Sequence, residues 1–266
     1  MMQNTLYHIG LLDDLARKDT AIHRLHPLVK VIATIFYLGV IASFSRYEVT
    51  SLLPLVLFPA VILAGADLPV GSVMKRVALV QPLIIGIGIL NPLFDQIQVS
   101  IGNIVIAQGW ITFLSIMIKG WLTVSAGLLL IATTGMDKLA GALRLLKVPK
   151  LFVLQLLLTY RYIAVLLDEA ARMQRAYQLR APGQKGIDRS AWGSFAGQLL
   201  LRTFDRAQRV YVAMKLRGFT GDYHTGDCRR VSYHDLAYLA GWTLFFIFAR
   251  LYNIPMIIGS LLTGVR

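Results

Sequence analysis

The chain has 266 residues, of which 56% are apolar and only 15% are charged. A typical soluble domain carries about 25% charged residues, so this composition indicates a membrane protein. The net charge of +13 would suggest nucleic-acid binding in a soluble protein. In a membrane protein it instead indicates orientation, because cytoplasmic loops collect Lys and Arg, and we expect no nucleic-acid partner. The single cysteine, Cys228, excludes an internal disulfide and therefore a disulfide-stapled secreted fold.

Five apolar segments are predicted to cross the bilayer, which takes about 20 residues per helix. In chain order they are Leu28–Phe44, Val49–Ala66, Val77–Phe94, a segment from Lys119 or Gly120 to Thr134, and Leu236–Leu262. Lys30, near the start of the first span, is expected to reach back to the interface. The apolar stretch Ile104–Ile118 is interpreted either as a re-entrant or interfacial piece or as part of one long tilted helix that contains Lys119. The N-terminus shows no signal peptide, so the first span is expected to direct insertion.

A sixth apolar segment, Leu151–Leu167, is long enough to span, but its surroundings argue against it. Residues 137–232 hold 17 Lys and Arg against 7 Asp and Glu, and basic clusters flank the segment on both sides. If the segment spanned, one cluster would face outward, against the positive-inside rule. Arg161 also lies near its centre, where a charge costs at least ~2.5 kcal/mol. We therefore predict that this segment lies at the cytoplasmic face, with six spans as the alternative.

The predicted architecture is an all-α polytopic membrane protein with about five transmembrane helices and a cytoplasmic helical domain between spans four and five. Its parts are residues 1–136 with four spans, residues 137–232 in the cytoplasm, and residues 233–266 with the last span. The N-terminus is expected inside and the C-terminus outside. The cytoplasmic domain is predicted to contain a short helix near Asp137–Leu146, a long helix Lys150–Arg180 after Pro149, and a third helix from about Asp188 to Arg217.

The two longer cytoplasmic helices contain a repeated segment, LLDEAARMQRAY from Leu166 and LLRTFDRAQRVY from Leu200, with six identities in twelve positions. Each copy carries an apolar stripe at helical spacing. The stripes are Leu166, Ala170, Met173 and Tyr177 in the first copy, and Leu200, Phe204, Ala207 and Tyr211 in the second. The spacing also predicts i,i+4 ion pairs between Asp168 and Arg172 and between Asp205 and Arg209.

Each of these helices is predicted to end just after a leucine, an arginine and a small residue. The two sequences are Leu179-Arg180-Ala181 and Leu216-Arg217-Gly218. A cation at a helix C-terminus stabilises the helix dipole by ~0.3–1 kcal/mol, which explains one arginine but not two matched copies. The alternative is a pair of docking residues, since a guanidinium can bind a carboxylate in a groove through two parallel hydrogen bonds.

The sequence lacks two motifs that would indicate catalysis. It contains no Gly-x-x-x-x-Gly-Lys-Ser/Thr loop, so we do not expect it to bind ATP, and no His-Glu-x-x-His zinc motif. His23 and His26 form at most half a metal site, and His224, Cys228 and His234 lie in a basic loop. We therefore predict no metal site and no catalytic residues.

Three stretches resemble the T component of energy-coupling factor transporters, the EcfT/CbiQ family. They are DTAIHRLHPLVKVIAT from Asp19, ATTGMDKLAGALRLLKVPKLFVLQLLLTYRYIAVLLDEAARMQRAYQLRA from Ala132, and LLLRTFDRAQRVYVAMKLRGFTG from Leu199. Two features depart from the family pattern. The residue before each terminal arginine is usually Ala, whereas this chain has Leu179 and Leu216. The N-terminal Asp-Pro-Arg of the family reads His26-Pro27-Leu28 here.

In that family, two coupling helices each end in an arginine flanked by small residues, and these ends insert into grooves on a pair of ATP-hydrolysing subunits. The resemblance therefore implies that Arg180 and Arg217 dock the ATPases. The flanking docking residues are Leu179, Ala181, Leu216 and Gly218, and the residues expected to support the coupling helices are Arg172, Arg175, Tyr177, Arg206, Arg209 and Tyr211.

The resemblance further implies a non-catalytic subunit of an ATP-driven importer in the inner (plasma) membrane. It would bind no cofactor itself, because ATP is bound by the partners. The implied partners are two cytoplasmic ATPase subunits, a substrate-binding membrane subunit and the lipid bilayer. The segment LLLTYRYIAVLLDEAARM, from Leu156, is most similar to cobalt-type T components. Cobalt is therefore the expected cargo, with nickel or a vitamin as alternatives.

Two other classes of protein predict different sequence features. A membrane enzyme acting on lipid phosphates would need acidic or nucleophilic groups clustered near one membrane face. The acids of residues 137–232 are instead spread along the segment, and most adjoin arginines. A self-contained channel or carrier would need several ionisable residues inside its spans, and the predicted spans contain almost none. The sequence therefore favours a non-catalytic transporter subunit.

Overall fold

The computed structural model describes residues 15–94, 98–101, 104–181, 183, 186–221 and 231–252. Contacts divide these described residues into two compact units. Residues 15–135 and 231–252 form the first, here called the apolar unit, and residues 136–221 form the second, here called the basic unit.

The apolar unit is helical apart from one short antiparallel hairpin. Its elements are α1 (Pro27–Ser43), a 3₁₀ helix (Thr50–Val56), α2 (Leu57–Gly65), α3 (Val70–Gly88), α4 (Leu90–Phe94), β1 (Gln98–Ile101), β2 (Ile104–Ala107), α5 (Gln108–Thr134) and α9 (Tyr233–Leu251). The basic unit consists of α6 (Met136–Leu145), α7 (Lys150–Arg180), a 3₁₀ helix (Arg189–Ala191) and α8 (Trp192–Leu216).

Three of the described helical stretches are long and apolar enough to cross a membrane. They are Val70–Phe94, Gln108–Thr134 and Lys150–Arg180, and the shorter apolar helices are Pro27–Ser43 and Thr50–Gly65. These helices confirm the prediction of an all-α membrane protein. Helix Lys150–Arg180 qualifies by length and composition alone, so its predicted place at the cytoplasmic face continues to rest on its flanking charges. The predicted last span extends to Leu262, and the part beyond residue 252 lies outside the described residues.

Two helices start earlier than the predicted spans. Helix α5 begins at Gln108, so the start at Lys119 or Gly120 is wrong, and the alternative of one long helix that contains Lys119 agrees with the structure. The stretch 104–118 is divided between β2 and α5, because its first residues are β-branched and pair with β1. The third span was expected to start at Val77, whereas α3 begins at Val70. Hydropathy misplaced that start because Lys75 and Arg76 interrupt the apolar pattern without interrupting the backbone hydrogen bonds of the helix.

An aromatic cluster joins α9 to the N-terminal helices of the apolar unit. The ring centroid of Tyr37 lies 4.5 Å from that of Phe58 and 5.2 Å from that of Phe246. Trp242 meets Phe58 edge-on at 4.9 Å. The buried hydroxyl of Tyr37 donates a hydrogen bond to the carbonyl oxygen of Leu55 at 3.0 Å, so its polar atom is satisfied as burial requires. This cluster fixes the last helix of the chain against the first.

The charged residues buried in the apolar unit hold helix ends together. Asp235 accepts hydrogen bonds from the backbone N–H groups of His26 and Ser232, each at 2.8 Å, and so links the start of α1 to the start of α9. Lys30 does not reach back to the interface as expected. It is buried, and its Nζ donates to the carbonyl oxygen of Thr133 at 2.8 Å, near the end of α5. Helix ends carry free carbonyl groups, so a buried ammonium finds acceptors there.

Helix α5 is the centre of the apolar unit and contacts α1, α2, α3 and α4. Glycines permit the closest of these approaches. A Cβ at Gly109 would lie 2.6 Å from the carbonyl oxygen of Asn91 and 2.6 Å from Cα of Pro92. A Cβ at Gly120 would lie 2.7 Å from Ile84. Small residues allow helix backbones to approach in this way in membrane proteins, where close packing stabilises association.

We expect Gly109→Ala to destabilise the apolar unit by about 1–3 kcal/mol, because the new methyl group would overlap backbone atoms that cannot rotate away. The measurement is the thermal unfolding midpoint of the purified protein in detergent. Gly127→Ala is the matched control on the same helix, since a Cβ there meets nothing within 4 Å. Equal midpoints for the two variants would contradict the predicted close contact.

Candidate functional site

Helix α7 is anchored at its N-terminal end by packing against α6. Ala140 of α6 and the residues Val153 and Leu157 of α7 form a buried cluster. Pro149 precedes the first turn of α7, where its missing N–H costs no hydrogen bond. The apolar contacts therefore hold the first part of α7, whereas the arginine-rich end extends away from this cluster.

Helix α7 ends at Arg180, as the sequence predicts. The N–H of Ala181 donates to the carbonyl oxygen of Tyr177 at 3.0 Å, and the backbone then leaves the helix at Ala181 with a φ of −124°. Leu179 is 85% exposed, and Arg180 is exposed beside it. An apolar side chain and a cation thus lie together at the end of the helix.

Helix α8 ends one residue before Arg217, which caps it. The N–H of Gly218 donates to the carbonyl oxygen of Lys215 at 2.9 Å, and that of Phe219 donates to Met214 at 3.0 Å. This pair of bonds is a Schellman motif, which needs a left-handed residue after the cap, and Gly218 supplies it with a φ of +79°. Leu216 is 84% exposed next to the arginine.

The two helix ends therefore share a composition but differ in backbone geometry. Each presents an exposed leucine beside an exposed arginine. Within the described part of the chain, the side chain of neither Arg180 nor Arg217 makes a hydrogen bond or an ion pair. Arg180 belongs to the last turn of its helix, whereas Arg217 follows the last turn, so the repeat in sequence does not produce two superimposable ends.

The two predicted apolar stripes have different environments. In α7, Ala170 is buried at 4% exposure, and the other stripe residues are partly buried. In α8, by contrast, Leu200, Phe204 and Tyr211 are 70%, 61% and 56% exposed. The stripe of α8 is therefore not a packing face within the described residues. That helix turns a different face inward, on which Leu199 and Val210 are partly buried.

A glutamate links the two helices, and the predicted i,i+4 ion pairs are not formed. Oε2 of Glu169 lies 2.7 Å from a guanidinium nitrogen of Arg172, and Oε1 lies 2.6 Å from one of Arg202. Arg172 therefore pairs with Glu169 instead of Asp168. In the described structure, Asp205 makes no ion pair with Arg209. One carboxylate can bind two guanidinium groups because it has two acceptor oxygens.

The remaining arginines and tyrosines predicted to support the coupling helices have separate environments. Arg175 and Arg209 are exposed, Arg206 is partly buried, and Tyr177 is partly buried. Nζ of Lys215 lies 5.5 Å from the ring centroid of Tyr211, within the range of a cation–π contact. The structure therefore does not bring these side chains together into one cluster.

Sequence reasoning missed Glu169 and Arg202, and one signal could have pointed to Arg202. When the sequences of the two repeats are aligned, Asp168 occupies the same position as Arg202, and Glu169 the same position as Thr203. The two copies thus differ at a position where one has an acidic residue and the other a basic residue. Opposite charges at matched positions of two neighbouring helices favour an ion pair between them.

The histidines considered as metal ligands take structural roles. His23 is buried, with Nδ1 2.8 Å from the hydroxyl of Thr20 and Nε2 3.0 Å from the carbonyl oxygen of Leu15. Nδ1 of His26 accepts a hydrogen bond from the N–H of Leu28 and so caps α1. Among the described residues no group of three His, Cys, Asp or Glu side chains could hold a metal ion. His224 and Cys228 lie outside the described residues, whereas His234, expected in the same loop, lies in the first turn of α9.

Lys119 of α5 also has hydrogen-bond acceptors. Nζ of Lys119 donates to the carbonyl oxygen of Phe44 at 2.6 Å and to that of Ser45 at 3.3 Å. These carbonyl groups follow the end of α1, so Lys119 satisfies a helix C-terminus, much as Lys30 does at the end of α5.

The fold and the helix ends together define an all-α membrane protein whose basic unit carries two exposed cationic helix ends. Residues 18–226 match the model of the family described as cobalt transport protein, CbiQ. The chain belongs to this family, and it is a membrane transport component of the energy-coupling factor type.

Three relatives match different shares of the chain, and two of them are named for a metal. The chain is 31% identical over 102 residues to the cobalt transport protein CbiQ of Salmonella typhimurium, covering 38% of this chain and 45% of that protein. It is 28% identical over 117 residues to the nickel permease LarQ of Lactiplantibacillus plantarum, covering 42% and 43%. It is 27% identical over 235 residues to the energy-coupling factor transporter transmembrane protein EcfT of Limosilactobacillus fermentum, covering 81% and 86%. The matches to the two metal transporters thus span less than half of their length.

The pKa of Glu169 is held below its usual value, chiefly by the hydrogen bond from Arg202. A depressed pKa means that the ionised carboxylate stabilises the fold. That contribution is fully present above the unfolded-state pKa of about 4.3 and is lost as the pH falls through the folded-state pKa. The arginine side chains are about half exposed, so the contribution is that of a surface pair, about 0.2–1 kcal/mol.

We therefore expect Glu169→Gln to lower the free energy of unfolding at pH 7 but not at a pH below the depressed pKa, where Glu169 is itself neutral. The measurement is the difference in thermal midpoint between the two proteins, followed as a function of pH. Asp168→Asn removes a neighbouring charge that has no partner in the described structure and serves as the control. A difference that stays constant across the pH range would contradict the ion-pair assignment.

Proposed function

We propose that this chain is the transmembrane scaffold and coupling subunit of an energy-coupling factor importer. It transmits the ATP-driven motion of two ATPase subunits to a substrate-binding membrane subunit. The observation that carries the proposal is the pair of helix ends at Arg180 and Arg217, each with a leucine about 85% exposed beside an arginine without a partner in the described structure.

The composition of these ends suits insertion into a groove. Burying a leucine side chain gains about 1.5–3 kcal/mol, so Leu179 and Leu216 would both gain from a partner that covers them. The adjacent guanidinium could bind a carboxylate in the same groove through two hydrogen bonds. Arginine is one of the residue types enriched among those that dominate binding energy at protein interfaces. Two ends of this composition match a partner with two equivalent sites, as a pair of ATPases has.

The exposed stripe of α8 offers a surface for the substrate-binding membrane subunit. Leu200, Phe204 and Tyr211 lie on one face of the helix and are each more than half exposed. An apolar surface of this kind marks an interaction site in a protein of otherwise basic character. In this proposal, closure of the ATPases moves the docked ends, and α8 transfers the motion to the membrane partner as a rigid element.

The proposed orientation places the N-terminus and the basic unit in the cytoplasm, and the chain in the inner (plasma) membrane. The excess of Lys and Arg in residues 137–232 supports it through the positive-inside rule. The chain is proposed to be non-catalytic, with ATP bound and hydrolysed by the partner subunits. The sequence lacks a phosphate-binding loop, so ATP chemistry is assigned to the partners.

Cobalt is the proposed cargo of the complete transporter, and nickel is the main alternative. The family described as cobalt transport protein matches residues 18–226, and the cobalt and nickel relatives match shorter parts at 31% and 28% identity. The cargo would contact the substrate-binding subunit, so this chain would carry motion rather than the metal ion. A vitamin is the remaining alternative.

We expect the double variant Arg180→Glu with Arg217→Glu to lose co-purification of the ATPase subunits while the protein still inserts into the membrane. Charge reversal would replace an attraction with a repulsion at both docking grooves. Affinity capture of the tagged chain, co-expressed with ATPase subunits of the energy-coupling factor type, measures the recovered ATPase.

The matched control is Arg175→Glu with Arg209→Glu, which changes the same charge at aligned, exposed positions away from the helix ends. It should retain the ATPases. Full retention of the ATPases by the Arg180 and Arg217 double variant would overturn the docking proposal. Equal loss from both double variants would show that general charge, and not the helix ends, holds the partners.

Cells that express the complete transporter should accumulate radiolabelled cobalt, because cobalt is the proposed cargo. Uptake should require both the ATPases and this chain, and excess unlabelled cobalt should compete better than excess nickel. A deletion of the chain alone provides the background. Stronger competition by nickel would assign nickel as the cargo, and no uptake of either metal would favour a vitamin.

A further inference from the structure

The ion-pair cluster at Glu169 lies where α7 and α8 contact each other within the basic unit. Its carboxylate accepts from Arg172 on its own helix at 2.7 Å and from Arg202 on the neighbouring helix at 2.6 Å. The bond to Arg172 fixes the rotamer of Glu169, since a side chain held by one charged partner presents its second oxygen in a defined direction. The bond to Arg202 then joins the two helices at one point.

Apolar packing between the two helices is too sparse to fix their relative angle. Helix α8 contains no fully buried residue, and all of its residues are described. In the arginine-rich half of α7, only Ala170 is buried, directly beside Glu169. A small side chain at a contact lets two helices approach but offers little resistance to rotation, because rotation is opposed by interlocking side chains.

The geometry makes the helix ends sensitive to rotation at this point. The helical rise places Arg180 about 16 Å along the axis from Glu169, and Arg217 about 22 Å from Arg202. A rotation of about 10° at the contact would therefore displace the end of α8 by about 4 Å. A hydrogen bond tolerates a change of only about 0.5 Å, so two docked arginines require this angle to be held.

We propose that Glu169, bound by Arg172 and Arg202, is a positioning residue that sets the angle between α7 and α8 and thereby the spacing of the two docking ends. The function assigned to that spacing rests on the proposed coupling role, whereas the link itself does not. Exposed ion pairs contribute little to folding stability. Loss of the link therefore changes the angle between α7 and α8, and the protein stays folded.

The test measures the distance between the helix ends in the full chain. Spin labels are attached to Gln178→Cys and Lys215→Cys in a Cys228→Ser background, with the protein in lipid nanodiscs, and the distance is measured by pulsed electron resonance. Glu169→Gln and Arg202→Gln should each shift or broaden the distance distribution by about 4 Å. Asp168→Asn, which removes the adjacent charge, should leave it unchanged.

A charge swap separates a positioning role from a general loss of structure. Arg202→Glu alone opposes two acids and should broaden the distribution most. The double variant Glu169→Arg with Arg202→Glu restores an attraction of reversed polarity and should narrow it again. An unchanged distribution in Glu169→Gln, or an equal change in Asp168→Asn, would overturn the proposal, and so would failure of the double variant to recover.

A second measurement connects the link to transport. In the assembled transporter, Glu169→Gln should retain the ATPases but reduce the ratio of substrate uptake to ATP hydrolysis by about fivefold, with recovery in the charge swap. A normal ratio would overturn the positioning role in transport. The distance measurement needs no ATPase, so its result stands even where the Arg180 and Arg217 variants disprove docking, and the two proposals can fail separately.

Discussion

Charged side chains in a membrane protein must find oxygen acceptors or donors within the protein, because hydrocarbon offers none. In the apolar unit, Lys30 and Lys119 both donate to carbonyl groups at or near helix C-termini. Asp235 accepts from two backbone N–H groups at helix starts. These bonds use the free groups that every helix end carries. These three charged side chains therefore find hydrogen-bond partners and at the same time hold α1, α5 and α9 together.

In the basic unit, by contrast, the arginine side chains at the helix ends have no partner in the described structure. This contrast indicates where partner subunits bind. Arg180 and Arg217 are exposed at helix ends that Ala181 and the Gly218 turn have already terminated through backbone hydrogen bonds. At the end of α8 these bonds satisfy the carbonyl groups of Met214 and Lys215, so Arg217 is not needed for that purpose. The guanidinium groups of both arginines remain available as hydrogen-bond donors, and the leucines beside them expose apolar surface to water. A surface whose backbone groups are hydrogen-bonded within the chain, and whose cationic and apolar side chains are exposed, is suited to binding a partner.

The twin helices show how a repeated sequence can acquire two roles. Both copies keep the apolar stripe and the terminal arginine, but Ala170 of the first copy is buried and Phe204 of the second is exposed. Glu169 in one copy and Arg202 in the other complete the contact between the two helices through opposite charges. Helix α7 thus packs within the basic unit, whereas α8 keeps an exposed apolar face.

The sequence by itself determined the membrane class, the bounds of α7 and the position of both helix ends, because hydropathy, Pro149 and Gly218 act locally. It also carried the family resemblance that the match over residues 18–226 confirms. Only the tertiary structure decided that Lys30 bonds to Thr133, that the stripe of α8 stays exposed, and that Glu169 rather than Asp168 takes the arginines. Those outcomes depend on which face each helix turns toward its neighbour. Helical periodicity defines the faces of a helix, but contacts between residues distant in sequence choose among them.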